Sequence, residues 1–133
     1  MSLKQLPLTS IAEEHLQHLV EERIPESKGI EYKQSIQFVT DDQKRELLSD
    51  LTAFANTDGG DVVFGIAEAD GSAGELVGLK NLNADDAIGK IENLLRDFVQ
   101  PRIIGVQMKV VALGSGTHAL IVRIPRSFSA PHM

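Results

Sequence analysis

The sequence predicts a single α+β domain in which three helices pack on one mixed sheet of about five strands. Three stretches carry apolar residues at helical spacing. Between them lie stretches whose alternating or continuous apolar pattern is typical of strands, and a glycine-rich turn separates the last two. The 133 residues suit one domain, residues 1–133, and the order of the elements suits an α+β arrangement.

The helices are predicted from their start signals and apolar faces. Ser10 with Glu13 fits a capping box, in which each side chain satisfies a free backbone N–H at the helix start, and Thr40 with Gln43 fits a second. The second helix should end near Thr57, before the glycines. The predicted helices cover about 11–22, 41–57 and 84–99.

The strands are predicted from alternation and continuous hydrophobicity. In IEYKQSIQF, Ile30, Tyr32, Ile36 and Phe38 should share one buried face. DVVFGIA is apolar on both faces, which predicts a central strand with an interruption at Gly65. Further strands are predicted in ELVGL, IIGVQMKVVAL and THALIVRI, the last two joined by a GSG hairpin. The closing PRSFSAPHM has no predicted element to pack on, so we expect the N-terminal part of a longer protein.

Composition excludes several classes of protein. The absence of cysteine excludes disulfides, thiol nucleophiles and cysteine metal sites, and it fits a cytoplasmic location. No apolar run approaches the roughly 18 residues of a membrane span. The net charge of −6 opposes a nucleic-acid partner, but residues from 101 onward carry +4 and no acid, so the first hundred carry −10. This asymmetry fits a surface that holds a metal at one place and phosphates at another, although charge also scatters unevenly in short chains.

The stretch AFANTDGGDVVFGI invites comparison with a phosphate-binding loop. Such a loop runs from strand to glycines to helix, so that the helix N-terminus faces the anion. Here the glycines follow a helix, whose C-terminal end favours cations, and no G-x-x-x-x-G-K-[ST] occurs. We therefore expect Gly59 and Gly60 to end the helix and to form a tight entry into the central strand.

Acidic residues surround two of the predicted strands. Glu26 and Glu31 flank Gly29 in ESKGIEYK, Lys33 follows on the polar face of the strand, and Glu68 lies just after the central strand. Carboxylates beside a lysine can hold a divalent cation and a phosphate, since Mg²⁺ takes one or two carboxylates and keeps several waters. A solvated polar strand face is the alternative interpretation.

Four stretches in order resemble the Schlafen AlbA_2 domain family. ESKGIEYK resembles its E-S-x-x-x-E-[FY]-K entry, and AFANTDGGDVVFGI resembles its A-F-A-N-T-x-G-G-x-[ILV]-x-x-G-[IV] signature. GELVGL resembles its G-x-[IV]-x-G, and VRIPRSFSAPH its closing strand and S-x-x-P-[HY] tail. The resemblance spans about residues 20–133. Its structural signature comprises Asn56, Thr57, Gly59, Gly60 and Gly65.

The resemblance implies an α+β fold and a nucleic-acid-binding domain of a transcriptional-regulator-like or helicase-like protein. Together with the basic C-terminal strip, it implies DNA or RNA phosphate contacts from Lys33, Arg102, Lys109, Arg123 and Arg126. A non-catalytic interaction or dimerisation domain is an alternative function, suggested by the net acidity and the few aromatic residues.

A second alternative is also implied by the resemblance. Some animal members of the family are similar to metal-dependent endoribonucleases, whose three acids correspond here to Glu26, Glu31 and Glu68, with Mg²⁺ or Mn²⁺ as cofactor. The family often has two aspartates where this chain has Ala67 and Glu68, which weakens the match. Those enzymes use a duplicated domain, so a homodimer would have to supply the second half.

Overall fold

The computed structural model describes residues 3–27, 29–127 and 131–132. The described part forms three helices and six strands, which confirms the predicted α+β class. A four-stranded sheet has the order β1-β2-β6-β5, with β1 and β2 parallel and the other pairs antiparallel, and β3 and β4 form a separate hairpin. The elements are the 3₁₀ turns Leu3–Gln5 and Leu8–Ser10, α1 (Glu13–Glu21), β1 (Ile30–Lys33), α2 (Asp41–Ala55), β2 (Gly59–Phe64), β3 (Ile66–Ala69), β4 (Ser72–Leu76), α3 (Ala84–Phe98), β5 (Gln107–Ala112) and β6 (His118–Pro125).

The four-stranded sheet has a core on each face. Val62 and Phe64 of β2 point into a cluster formed with α2 and α3. Val63 points the other way, into a cluster formed with α1, the β3–β4 hairpin and residues 3–11, which we call the N-terminal segment. Burial on both faces explains why β2 carries consecutive apolar residues, Val62, Val63 and Phe64. No helix in the described part of the chain is long and apolar enough to cross a membrane.

The predicted strand DVVFGIA is two strands in two different sheets, so its prediction as one strand is wrong. All six residues of β2 are buried, and β2 lies between β1 and β6, which confirms its central position. At Gly65 the backbone takes φ 113°, a conformation that favours glycine, and the chain leaves the sheet. The Gly65 carbonyl then accepts hydrogen bonds from Val77 and Gly78 at 2.9 and 2.8 Å.

The predicted strand IEYKQSIQF ends early, at Lys33. Its pairing with β2 stops at Phe64, where β2 itself stops, so the chain has no partner for further strand residues. The prediction that four apolar residues share one face is wrong. Ile30 and Tyr32 lie in the α1 cluster, whereas Ile36 and Phe38 pack against the α2–α3 cluster.

Two other strands are displaced from their predicted positions. The predicted strand ELVGL corresponds to β4, which begins earlier, at Ser72, because a tight turn at Asp70 and Gly71, both with positive φ, pairs it with β3. The strand predicted in IIGVQMKVVAL begins only at Gln107, after Gly105 with φ 92°.

One of the two predicted capping boxes is confirmed. Thr40 Oγ1 accepts from the Gln43 amide and Gln43 Oε1 accepts from the Thr40 amide, both at 3.1 Å. The box predicted from Ser10 and Glu13 is wrong, because α1 begins at Glu13 and Ser10 belongs to a 3₁₀ turn. His15 Nδ1 instead accepts from the Ala12 amide at 2.9 Å, which satisfies one free donor of the helix start.

The paired glycines form a tight entry into β2. Gly59 has φ 79°, but it is the first residue of β2 and does not directly end α2, whose C-cap is Asn56. A β-carbon on Gly59 would lie 2.6 Å from the Ile124 carbonyl oxygen, and one on Gly60 would lie 2.5 Å from the Phe54 ring. Close approach to β6 and α2 therefore requires both glycines.

Candidate functional site

Two acidic side chains meet beside β1, at the end of the four-stranded sheet. Glu26 Oε2 accepts a hydrogen bond from the Tyr32 amide at 3.1 Å, and the Glu26 amide donates to the Gly71 carbonyl at 2.8 Å. Glu68 on β3 accepts from the Gly71 amide through Oε1 at 2.9 Å. The turn at Gly71 therefore holds Glu26 and Glu68 next to each other, although they are 42 positions apart in the sequence.

Burial and neighbouring acids raise the pKa of two carboxyls at this edge, Glu26 and Glu31. Burial raises the pKa of Glu26 most, the charge of Glu68 and the hydrogen bond that a protonated Glu26 can share with it raise the pKa further, and the Tyr32 amide opposes the shift. Burial and the negative charge of Asp50 raise the pKa of Glu31, with a smaller contribution from Glu26. We call Glu26, Glu31 and Glu68 the acidic edge, because these predicted site residues form one electrostatic group.

Lys33 is held by acids of α2. Its Nζ lies 2.7 Å from Oδ2 of Asp50 and 3.9 Å from Oε1 of Glu46. Burial lowers the pKa of Lys33, but the contact with Asp50 and the charges of Asp50 and Glu31 outweigh it, so its pKa is raised. Asp50 was not predicted from the sequence, since only the packing of α2 against the sheet brings it to Lys33.

The acidic edge has donors of the right chemistry for a hard divalent cation. Mg²⁺ prefers carboxylate oxygens and needs one or two from the protein, and Glu26 and Glu68 are in contact. Within residues 3–27, 29–127 and 131–132, however, no three His, Asp or Glu side chains are arranged to hold a metal. The described geometry thus offers a carboxylate pair with Glu31 nearby, rather than a preformed three-ligand site.

A polar cleft of about 580 Å³ adjoins the acidic edge. Lys33 and Glu68 line one part of it, and Gln34, Gln37 and Gln43 line another. The amide groups could orient a polar ligand, but the charges at this end of the sheet are mainly negative.

Arg123, predicted to contact phosphate, is engaged within the fold. Its Nε and Nη2 donate to Oδ1 and Oδ2 of Asp61 at 2.7 and 3.0 Å, and Asp61 is fully buried. Nη1 and Nη2 also donate to the carbonyls of Leu6 and Leu3 at 2.6 and 3.0 Å. This side chain therefore fastens the N-terminal segment to the sheet.

Lys109 has a similar role. Its Nζ donates to the carbonyls of Thr9 and Ile11 at 2.7 and 2.6 Å. These carbonyls belong to the N-terminal segment, which has little regular structure to satisfy them. Phosphate binding by Lys109 and Arg123 stays a prediction, but both already have structural partners.

Arg102 and Arg126 are exposed. Arg102 lines a cleft of about 610 Å³ between α3 and residues 102–108, together with Arg96 and Glu92. We call this space the α3 cleft. Within the described parts of the chain, the Arg102 side chain makes no hydrogen bond or ion pair. The sequence analysis missed Arg96 because it precedes the basic strip and lies beside Asp97, with Nε 3.0 Å from Oδ1.

The Schlafen AlbA_2 family model matches residues 26–133. The chain belongs to the Schlafen AlbA_2 family. No curated protein sequence matches the chain. A solved structure with a similar fold is the solution NMR structure of the N-terminal domain of a "Putative ATP-dependent DNA Helicase RecG-related Protein" from Nitrosomonas europaea. It is 23% identical, with a TM-score of 0.60, over 84% of this chain and 72% of that one. The N-terminal segment and α1 precede the residues that the family model matches.

The signature of this Schlafen AlbA_2 domain connects the end of α2 to the C-terminal tail. Asn56 Nδ2 donates to the His132 carbonyl at 3.1 Å, and Asn56 Oδ1 accepts from the His132 amide at 2.7 Å. Thr57 Oγ1 donates to the Ala53 carbonyl at 3.0 Å, and the Ser127 amide donates to that of Ala55 at 3.1 Å. Asn56 and the tail therefore stabilise the end of α2, while residues 128–130 of the predicted tail motif lie outside the described residues.

Proposed function

We propose that this Schlafen AlbA_2 domain binds nucleic acid. Membership of the family supports this function, since the family resemblance implies a nucleic-acid-binding domain. The similar solved domain belongs to a protein whose name refers to a DNA helicase. The observation that carries the proposal is the α3 cleft, where Arg96 and Arg102 face one space with a single acid, Glu92.

Arginine suits this role because its planar guanidinium can donate two parallel hydrogen bonds to a phosphate. Arg96 is more than half exposed, and its partner Asp97 is its sequence neighbour, so the ion pair between them is weak. The chain as a whole carries −6, which repels a polyanion at long range. Binding should therefore be local, modest in affinity and steeply dependent on salt.

Fluorescence anisotropy with a labelled DNA duplex and a labelled RNA hairpin tests the proposal. At low salt the wild-type domain should bind at least one of them. The double variant Arg96→Gln/Arg102→Gln should bind more weakly, with the slope of log K against log salt reduced by about 2. Arg45→Gln is a matched control, because Arg45 is exposed on α2 and pairs with its neighbour Asp42. Failure to bind either nucleic acid at low salt would overturn the proposal.

A second candidate function is divalent-metal-dependent cleavage of structured RNA. The observation that favours it is the contact between Glu26 and Glu68, with the pKa of Glu26 raised. Carboxylates that repel each other gain from a shared cation, and Glu26 and Glu68, with Glu31 nearby, would hold it. Bound Mg²⁺ or Mn²⁺ would supply Lewis acidity and an activated water.

Incubation of folded RNA with the domain and Mn²⁺ or Mg²⁺ tests this candidate. Cleavage should require the metal and should be lost in Glu31→Gln, while Glu21→Gln, an exposed substitution on α1 away from the acidic edge and the α3 cleft, should leave it intact. Absence of cleavage, or equal cleavage by Glu31→Gln, would rule out this function without affecting the binding proposal.

A further inference from the structure

The segment after α3 presents an apolar side chain to solvent beside two arginines. Ile104 is 81% exposed. Ile103 before it is buried in the α2–α3 cluster, as is Val99. Gly105 after it has φ 92°, and Val106 packs against the same cluster. The chain is thus anchored on both sides of Ile104, which holds this side chain outward.

The charged neighbours distinguish Ile104 from an ordinary exposed apolar residue. Single exposed apolar side chains are common on protein surfaces, and Val39, 84% exposed, is one in this domain. Ile104, in contrast, lines the α3 cleft together with Arg96 and Arg102. Proteins that bind the minor groove of DNA often combine arginines with an apolar side chain that inserts between base steps. Ile104, beside two arginines on an anchored segment, has this combination.

We propose that Ile104 is a wedge that inserts between base pairs from the minor groove of duplex DNA, with Arg102 and Arg96 on the adjacent backbone. The inference rests on the proposed nucleic-acid-binding function and adds the substrate class and the manner of binding. Insertion of an apolar side chain unstacks one base step and bends the duplex toward the major groove. The bend brings more of the DNA backbone against the arginines of the α3 cleft.

The geometry favours DNA over double-stranded RNA. The minor groove of B-form DNA is narrow, about 6 Å wide, so a side chain inside it contacts both walls. The minor groove of A-form RNA is wide and shallow and is recognised mainly through its 2′-hydroxyls. An isoleucine offers no hydrogen bond to those hydroxyls.

The test combines anisotropy with fluorescence resonance energy transfer across a DNA duplex that carries a central TA step, which is easily unstacked. The wild-type domain should bind and bend this duplex. Ile104→Ala should abolish the bend and weaken binding about tenfold, because most of the inserted apolar surface is lost. Ile104→Leu should retain both properties. Arg102→Gln should reduce the salt slope by about 0.9.

Val39→Ala is the matched control, since it removes an equally exposed apolar side chain that lies outside the α3 cleft and should leave binding and bending unchanged. Circular dichroism would confirm that each variant is folded. Binding without bending, equal binding by Ile104→Ala, or tighter binding to an RNA duplex of the same sequence would overturn the wedge while leaving nucleic-acid binding in place. Failure of the wild type to bind any nucleic acid would overturn both proposals.

Discussion

The charged residues near β1 and those on β5 and β6 have different kinds of partner within the fold. Near β1, burial and neighbouring acids raise the pKa of Glu26 and of Glu31 in the acidic edge. At the β5–β6 side, Arg123 and Lys109 are fully engaged by Asp61 and by carbonyls of the N-terminal segment. Residue type together with the family resemblance predicted a function for both groups. The partners within the fold separate them. Arg123 and Lys109 meet negatively polarised acceptors that stabilise the domain, whereas Glu26 and Glu68 each accept from one backbone N–H and also face each other's negative charge, which a bound cation would relieve.

The largest effect on the free energy of unfolding is expected at Arg123. Arg123→Ala leaves Asp61 buried without a partner and should lower the free energy of unfolding by about 3–5 kcal/mol. Urea denaturation followed by circular dichroism measures it. The double variant Asp61→Ala/Arg123→Ala should recover part of the loss, because it removes the buried unpaired charge. A cost below about 1 kcal/mol for Arg123→Ala would remove the structural role assigned to this residue.

The second-largest effect on stability is expected at Gly60, in the tight entry from α2 into β2. Gly60→Ala brings a β-carbon against the Phe54 ring and should destabilise the domain by about 1–3 kcal/mol. Gly89→Ala is the control, because a β-carbon at Gly89 in α3 meets no atom within 4 Å. It should stabilise the domain by about 0.5–1 kcal/mol, since alanine favours helix more than glycine does. Equal effects of the two substitutions would contradict the close packing at Gly60.

A smaller effect of opposite sign is expected at Glu31. A carboxyl whose pKa is raised on folding costs stability as the pH rises from its unfolded value, about 4.3, through its folded value. Glu31→Gln should therefore be more stable than the wild type at pH 7, by about 0.5 kcal/mol. The difference should disappear below about pH 3, where the carboxyl is protonated in both states.

Urea denaturation at a series of pH values, with Glu92→Gln as the exposed control on α3, measures this difference. A less stable Glu31→Gln at pH 7 would mean that Glu31 gains more from Lys33 than it loses to burial and Asp50.

The smallest effect on stability is expected at Arg102. Arg102→Gln should change the free energy of unfolding by less than about 0.5 kcal/mol, as is usual for an exposed side chain, and Arg102 has no hydrogen bond or ion pair within the described residues. The same urea experiment that detects Arg123→Ala measures it. If Arg102→Gln lowered the free energy of unfolding as much as Arg123→Ala does, Arg102 would also be a structural residue, and the proposed difference between the two arginines would be wrong.

The sequence alone correctly predicted the structural features that depend on local pattern. The Thr40–Gln43 capping box and the central position of β2 follow from local spacing and hydrophobicity. The family resemblance identified the acidic edge, whose members the structure brings into one electrostatic group, while their role as ligands stays a prediction.

Other features depend on contacts between distant parts of the chain. The split at Gly65 follows from a backbone angle that a glycine permits but does not dictate. The engagement of Arg123 depends on Asp61, 62 positions away, and on a segment with no clear pattern of its own. Asp50 and Arg96 were missed because helix packing, not sequence spacing, brings them to Lys33 and to the α3 cleft.

The most direct test of the central claim is an NMR titration of the ¹⁵N-labelled domain with duplex DNA. The nucleic-acid-binding surface that we propose predicts that the largest chemical-shift changes occur at the amides of Arg96, Arg102 and Ile104 and that they diminish as salt is raised. Changes concentrated instead around Glu31 and Glu68, with residues 96–106 unaffected, would contradict it.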